Sequence, residues 1–118
     1  MLRGLFPRIA QLGLLSLALA TLSFAQSERG LIAGTVTDQS GAAVPSAEVV
    51  VINTATNATF KVTASSTGEF SAPNLIPGAY RVTVSATGFK RVVQQNVIVA
   101  ASSSVRLELQ LQIGQVSE

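Results

Sequence analysis

The chain has 118 residues, with no cysteine, histidine or tryptophan, and eight Lys+Arg against six Asp+Glu for a formal charge of +2. Without cysteine there is no disulfide scaffold, Cys-based zinc site or thiol nucleophile, and without histidine no His-based general base or Ser-His triad. Residues 1–25 carry Arg3 and Arg8 and no acid, so residues 26–118 balance six cations against six carboxylates, which removes the electrostatic case for nucleic acid.

Met1–Ala25 is Leu-rich and has no valine. Arg3 and Arg8 precede the uncharged apolar stretch Ile9–Leu22, and Ser23-Phe24-Ala25 places small residues at −3 and −1 before Gln26. This is the three-part pattern of a helical, cleavable export signal, with cleavage predicted between Ala25 and Gln26. Its apolar run is shorter than the roughly 20 residues a membrane-spanning helix needs. The expected location is therefore exported: periplasmic, outer-membrane-associated or extracellular.

Residues 26–118 are rich in Val, Thr and Ile, whose branched side chains suit a pleated surface, and they read as one β domain. Leu31–Thr37 alternates as a first strand, and Asp38-Gln39-Ser40-Gly41 has the chemistry of a type I turn. Ala47–Ile52 is a second strand, Asn53–Ala58 a polar loop and Thr59–Thr63 a third strand with Phe60 and Val62 in phase. Ser65–Gly68 turns, Glu69–Ala72 is a short strand, and Pro73–Gly78 is a rigid connection. Tyr80, Val82, Val84 and Ala86 then share one face against Arg81, Thr83 and Ser85. Arg91–Val99 is a further strand, interrupted near Gln94-Gln95, and Val105–Ile113 alternates to the end. Turn signals at strand spacing, with one polar and one apolar face per strand, predict an all-β, seven-stranded antiparallel Greek-key β-sandwich. The predicted core is Ile32, Val36, Val49, Val51, Phe60, Val62, Phe70, Tyr80, Val82, Val84, Val97, Val99, Leu107 and Leu109.

Three segments in this order resemble the carboxypeptidase regulatory-like domain. They are Gly34–Gly41 with Val44-Pro45-Ser46-Ala47, then Thr67-Gly68-Glu69-Phe70, then Leu75–Phe89. The resemblance implies a transthyretin-like, or prealbumin-like, sandwich, grouped with carbohydrate-binding-like folds. It also implies a place at the N-terminus of TonB-dependent outer-membrane receptors. The plug and barrel of such a receptor are not in this sequence. The two expectations are thus a stand-alone secreted module and a truncated receptor N-terminus, with membrane association only through the export signal or an absent barrel.

The site chemistry is sparse. Asp38, Glu48, Glu69 and Glu108 read as solvated surface charges, so no enzymatic role, metal or cofactor is expected. An intramolecular Lys–Asn cross-link, as in related adhesin sandwiches, would need a lysine on the first strand, which has none. Sugar sites use exposed aromatic faces beside polar groups. Phe70, beside a turn, and Phe89, after Gly88, are the aromatic candidates, and Asn74 the polar one. The expected partner is a carbohydrate or an envelope protein, met by loops and sheet edges.

Overall fold

The computed structural model describes residues 28–114, so the leader and its cleavage point at Ala25 and Gln26 lie outside the described residues. Seven strands follow in order: β1 (Gly30–Asp38), β2 (Glu48–Asn53), β3 (Thr59–Thr63), β4 (Glu69–Leu75), β5 (Gly78–Ser85), β6 (Val92–Val99) and β7 (Ser104–Leu111). They form a three-stranded sheet, β4-β1-β7, and a four-stranded sheet, β3-β2-β5-β6. The all-β reading and the count of seven strands in two sheets hold. Among the described residues no helix is long and apolar enough to cross a membrane.

One pairing departs from the antiparallel expectation: β1 and β7 run parallel, from Leu31 opposite Ser104 to Asp38 opposite Leu111. The reason is topological. Each connection reverses the chain, so odd-numbered strands point one way and even-numbered strands the other. Because β1 and β7 are both odd and neighbours, their pairing is parallel. The other pairs are antiparallel. The molecule therefore has an entry end, with the β2–β3, β4–β5 and β6–β7 connections and the start of β1. Its exit end holds the β1–β2, β3–β4 and β5–β6 connections and the close of β7.

The core lies between the sheets. It joins Ile32 and Val36 of β1, Val49 and Val51 of β2, Tyr80, Val82 and Val84 of β5, Val97 and Val99 of β6, and Leu109 and Leu111 of β7. Phe60 is a correction to the predicted core. It is paired with Val51 in the inward phase, yet it is 40% exposed. β3 is an edge strand, so nothing flanks the ring on its outer side. Val62 and Leu107 are half-buried against the core rather than within it.

Local chemistry fixes the connections. Asp38 Oδ1 accepts from the Ser40 and Ala42 amides at 2.9 and 3.1 Å and from Ser40 Oγ at 2.6 Å. These bonds close the turn after β1 as an Asx turn. Gly68 holds φ +80 in the β3–β4 turn, and a Cβ there would stand 2.5 Å from the Val36 carbonyl oxygen. No residue with a side chain fits that close approach.

Two edge strands carry bulges. Between Gly30 and Ile32 of β1, the partner strand advances from Leu75 to Ala72, an extra residue in β4 at Pro73-Asn74. Between Tyr80 and Val82 of β5, the partner strand advances from Val97 to Gln94, an extra residue in β6 at Gln95-Asn96. Asn74 and Asn96 take φ 59 and 57, and asparagine tolerates this left-handed region. The predicted interruption near Gln94-Gln95 is the second of these. β4, expected to end at Ala72, runs on to Leu75 through the first.

Candidate functional site

The outward side chains of the β4-β1-β7 sheet make a shallow, open depression of about 420 Å³. Its floor is low because the residues in its central row are small. Ser71 of β4 pairs with Ala33 of β1, and Ala33 pairs with Arg106 of β7. Thr63 at the end of β3 and Ser65 in the β3–β4 turn line it with Glu69, the first residue of β4. Arg106 forms the opposite wall.

Beneath the floor, Gly34 of β1 stands opposite Phe70 of β4. A Cβ on Gly34 would meet the Phe70 ring at 2.8 Å and the Leu107 carbonyl oxygen at 2.2 Å. The missing side chain is thus the space the ring occupies, an aromatic covering a strand glycine across the sheet.

Arg106 is held in place without being buried. Its Nη2 donates to Thr35 Oγ1 at 3.2 Å, and its Nε lies 3.4 Å from Glu108 Oε1. The two charged side chains are 64% and 70% exposed, so the pair orients the guanidinium more than it stabilises the fold. Ser65 Oγ accepts from the Thr67 and Glu69 amides at 3.3 and 3.2 Å, which fixes the turn on the other wall. The depression thus offers guanidinium donors, a carboxylate acceptor and hydroxyls that do both. This is hydrogen-bonding chemistry, without an activated nucleophile. Among the described residues no group of three or more His, Cys, Asp and Glu could hold a metal ion.

The three residues singled out in the sequence do not converge. Phe70 is 5% exposed, and its ring serves as packing below the depression rather than as an open stacking face. Phe89 is half-buried against the core at the exit end, where it bridges to Ile113. Asn74 is exposed in the β4 bulge near the entry end, where its backbone conformation accounts for its presence. Arg106, Glu69, Ser65 and Ser71 come together instead, and of these only Glu69 was weighed as a site residue in the sequence, where it read as a solvated charge. The available signal was the run of small outward residues, Ala33 and Thr35 on β1 and Ser71 on β4.

Asp38 is the one described group with a resolved shift in ionisation. Its carboxyl is held below the usual aspartate range, first by the Ser40 hydroxyl, against an opposing effect of desolvation that ranks next, and then by the Ala42, Ser40 and Gly41 amides of the turn. It belongs to the turn at the exit end and does not line the depression.

Fold and site together define a small β-sandwich module whose described surface presents a cluster of hydrogen-bonding side chains on one sheet. The sequence pattern of the carboxypeptidase regulatory-like domain matches residues 31–112, and the chain belongs to that family. No curated protein matches it. Among solved structures it is similar to the TIE protein of Bacillus anthracis, with a TM-score of 0.63 at 23% identity, over 73% of this chain and 17% of that one. It is also similar to a candidate carbohydrate-binding protein from Bacteroides uniformis, with a TM-score of 0.58 at 19% identity, over 71% of this chain and 41% of that one. Catechol 1,2-dioxygenase from Pseudomonas arvilla gives 0.63 at 11% identity, over 77% of this chain and 54% of that one. At these identities the likeness is one of fold. The chain spans less than two thirds of the length of each of these three.

Proposed function

We propose that this chain is an exported, non-catalytic accessory module that binds carbohydrate or a hydroxyl-rich component of the cell envelope. Met1–Ala25 acts as the cleaved leader and residues 26–118 form the module. The observation that carries the binding reading is the depression on the β4-β1-β7 sheet. There Arg106 and Glu69 face each other across a floor of small residues flanked by hydroxyls. Sugars present closely spaced hydroxyls that both donate and accept, and this lining matches them. The similarity to a candidate carbohydrate-binding protein supports the same class of ligand.

A glycan array on the mature domain tests this. Parent protein is expected to show saturable binding, and Arg106→Ala to weaken it by about tenfold or more, the loss of one charge-assisted hydrogen bond. Because Arg106 is exposed, losing its bond to Thr35 is expected to lower the thermal midpoint only slightly, too little to account for a tenfold loss of binding. A blank array, or binding indifferent to Arg106→Ala, would overturn the reading.

The second reading is a structural or interaction role as the N-terminal domain of a TonB-dependent outer-membrane receptor. It is favoured by the direction of the chain, which enters at one end of the sandwich and leaves at the other, as suits a domain threaded between neighbours.

A further inference from the structure

The first and last strands are hydrogen-bonded to each other, parallel, and in register over eight residue pairs, Leu31–Asp38 with Ser104–Leu111. Because they are parallel, the chain enters beside Gly30 at one end and leaves beyond Leu111 at the other. The two attachment points are separated by the length of the ladder, about 26 Å at roughly 3.3 Å per residue. Tension between them pulls β1 and β7 along their own axes in opposite directions. Every pair in the ladder then resists together. In a pairing pulled open from one end, the pairs break singly.

From this geometry we infer that the domain is a load-bearing link, a module that stays folded under tension applied between its two ends. The ladder is reinforced along its whole length. At its start the Leu31 amide donates to the Ser103 carbonyl at 3.0 Å. Midway, Arg106 donates to Thr35 Oγ1 at 3.2 Å. At its close, Gln110 Nε2 donates to the Asp38 carbonyl at 3.3 Å. Beyond Leu111 the exit is tied a second time. The Lys90 amide donates to the Gln112 carbonyl at 2.7 Å, and the Gly114 amide donates to the Gly88 carbonyl at 3.1 Å. The bonds of a parallel ladder are evenly spaced, so no single pair takes a disproportionate share of the load. β1 is anchored on its other side by β4, so β7 is the element that must slide. This role is independent of the sugar-binding reading and needs no ligand.

Single-molecule pulling in two geometries tests it. The chain has no cysteine, so each introduced pair is the sole attachment chemistry. Arg29→Cys with Ser117→Cys loads the ladder along the strands. Arg29→Cys with Ala101→Cys pulls the same two strands apart from their starting ends. The first geometry is expected to rupture at a several-fold higher force than the second, in the same buffer at the same pulling rate. Equal forces, or a lower force in the first geometry, would overturn the inference. Where a cysteine variant does not fold, handle proteins fused at the termini or inserted in the Ala100–Ser103 turn give the same two geometries and are judged by the same comparison.

Discussion

Tyr80 has no exposed surface, and its hydroxyl donates to the Ile76 carbonyl at 2.6 Å, four residues back across the Pro77-Gly78 corner. The ring supplies core area, while the hydroxyl holds the β4–β5 connection against its own strand. Tyr80→Phe keeps the ring and removes the bond, so it is expected to cost about 1 kcal/mol. In a urea titration the midpoint should fall with the slope unchanged. An unchanged midpoint would mean that the corner does not need the bond. Asp38 makes a different kind of residue-scale contribution, set by charge. Its lowered folded pKa means that the ionised form is favoured in the native turn. The stability this gives is complete above about pH 3.9, the ordinary aspartate value, and is lost as pH falls through the lowered folded one. Asp38→Asn keeps an oxygen acceptor and removes the charge. The parent is therefore expected to melt higher than the variant at neutral pH, with the gap closing toward pH 2. A gap constant with pH would assign the effect to geometry alone.

At the scale of the element, period-two alternation was legible wherever both faces of a strand differ in polarity. Thr59–Thr63 was predicted with the bounds it has, and β2, β5 and β7 shift by only one or two residues. β4 was read too short because Pro73-Asn74 carries turn chemistry. A bulge needs the same residues as a turn, so the sequence does not separate the two. Phe60 shows a second limit. Its phase was read correctly, but phase says which face a side chain is on and not whether a neighbour covers it. The depression was not legible for a related reason. Arg106 and Ser71 are brought to one row by pairing both their strands with β1, and the strand order that does so is not written in any local pattern. The bulges have their own consequence. Together with Lys61 on the short β3 and with Arg106 and Glu108 on β7, they leave all four sheet edges bent or charged against pairing with another chain.

At the scale of the whole molecule, sequence reasoning reached two sheets and seven strands but missed the parallel pair, because side-chain alternation is identical in parallel and antiparallel ladders. That pair makes the core conditional on the last strand. β7 contributes Leu109 and Leu111 to the buried cluster, with Val105 and Leu107 packed against it, and it is the neighbour that covers one side of β1. Ending the chain after Ser103 is expected to abolish the cooperative thermal transition and the dispersed amide spectrum of a folded domain. A truncated chain that still melts cooperatively would show that the six remaining strands suffice.

The same pairing sets the order of events during synthesis. Thr35 and Arg106, in contact across the ladder, are 71 positions apart in the chain. Contacts of such long range are slow to form, because the entropy of closing the intervening chain is lost before any bonding is gained. The three-stranded sheet cannot close until its final strand has left the ribosome. Until then β1 lacks the neighbour that covers one of its sides, so the module completes its fold only once nearly all of its strands have been made.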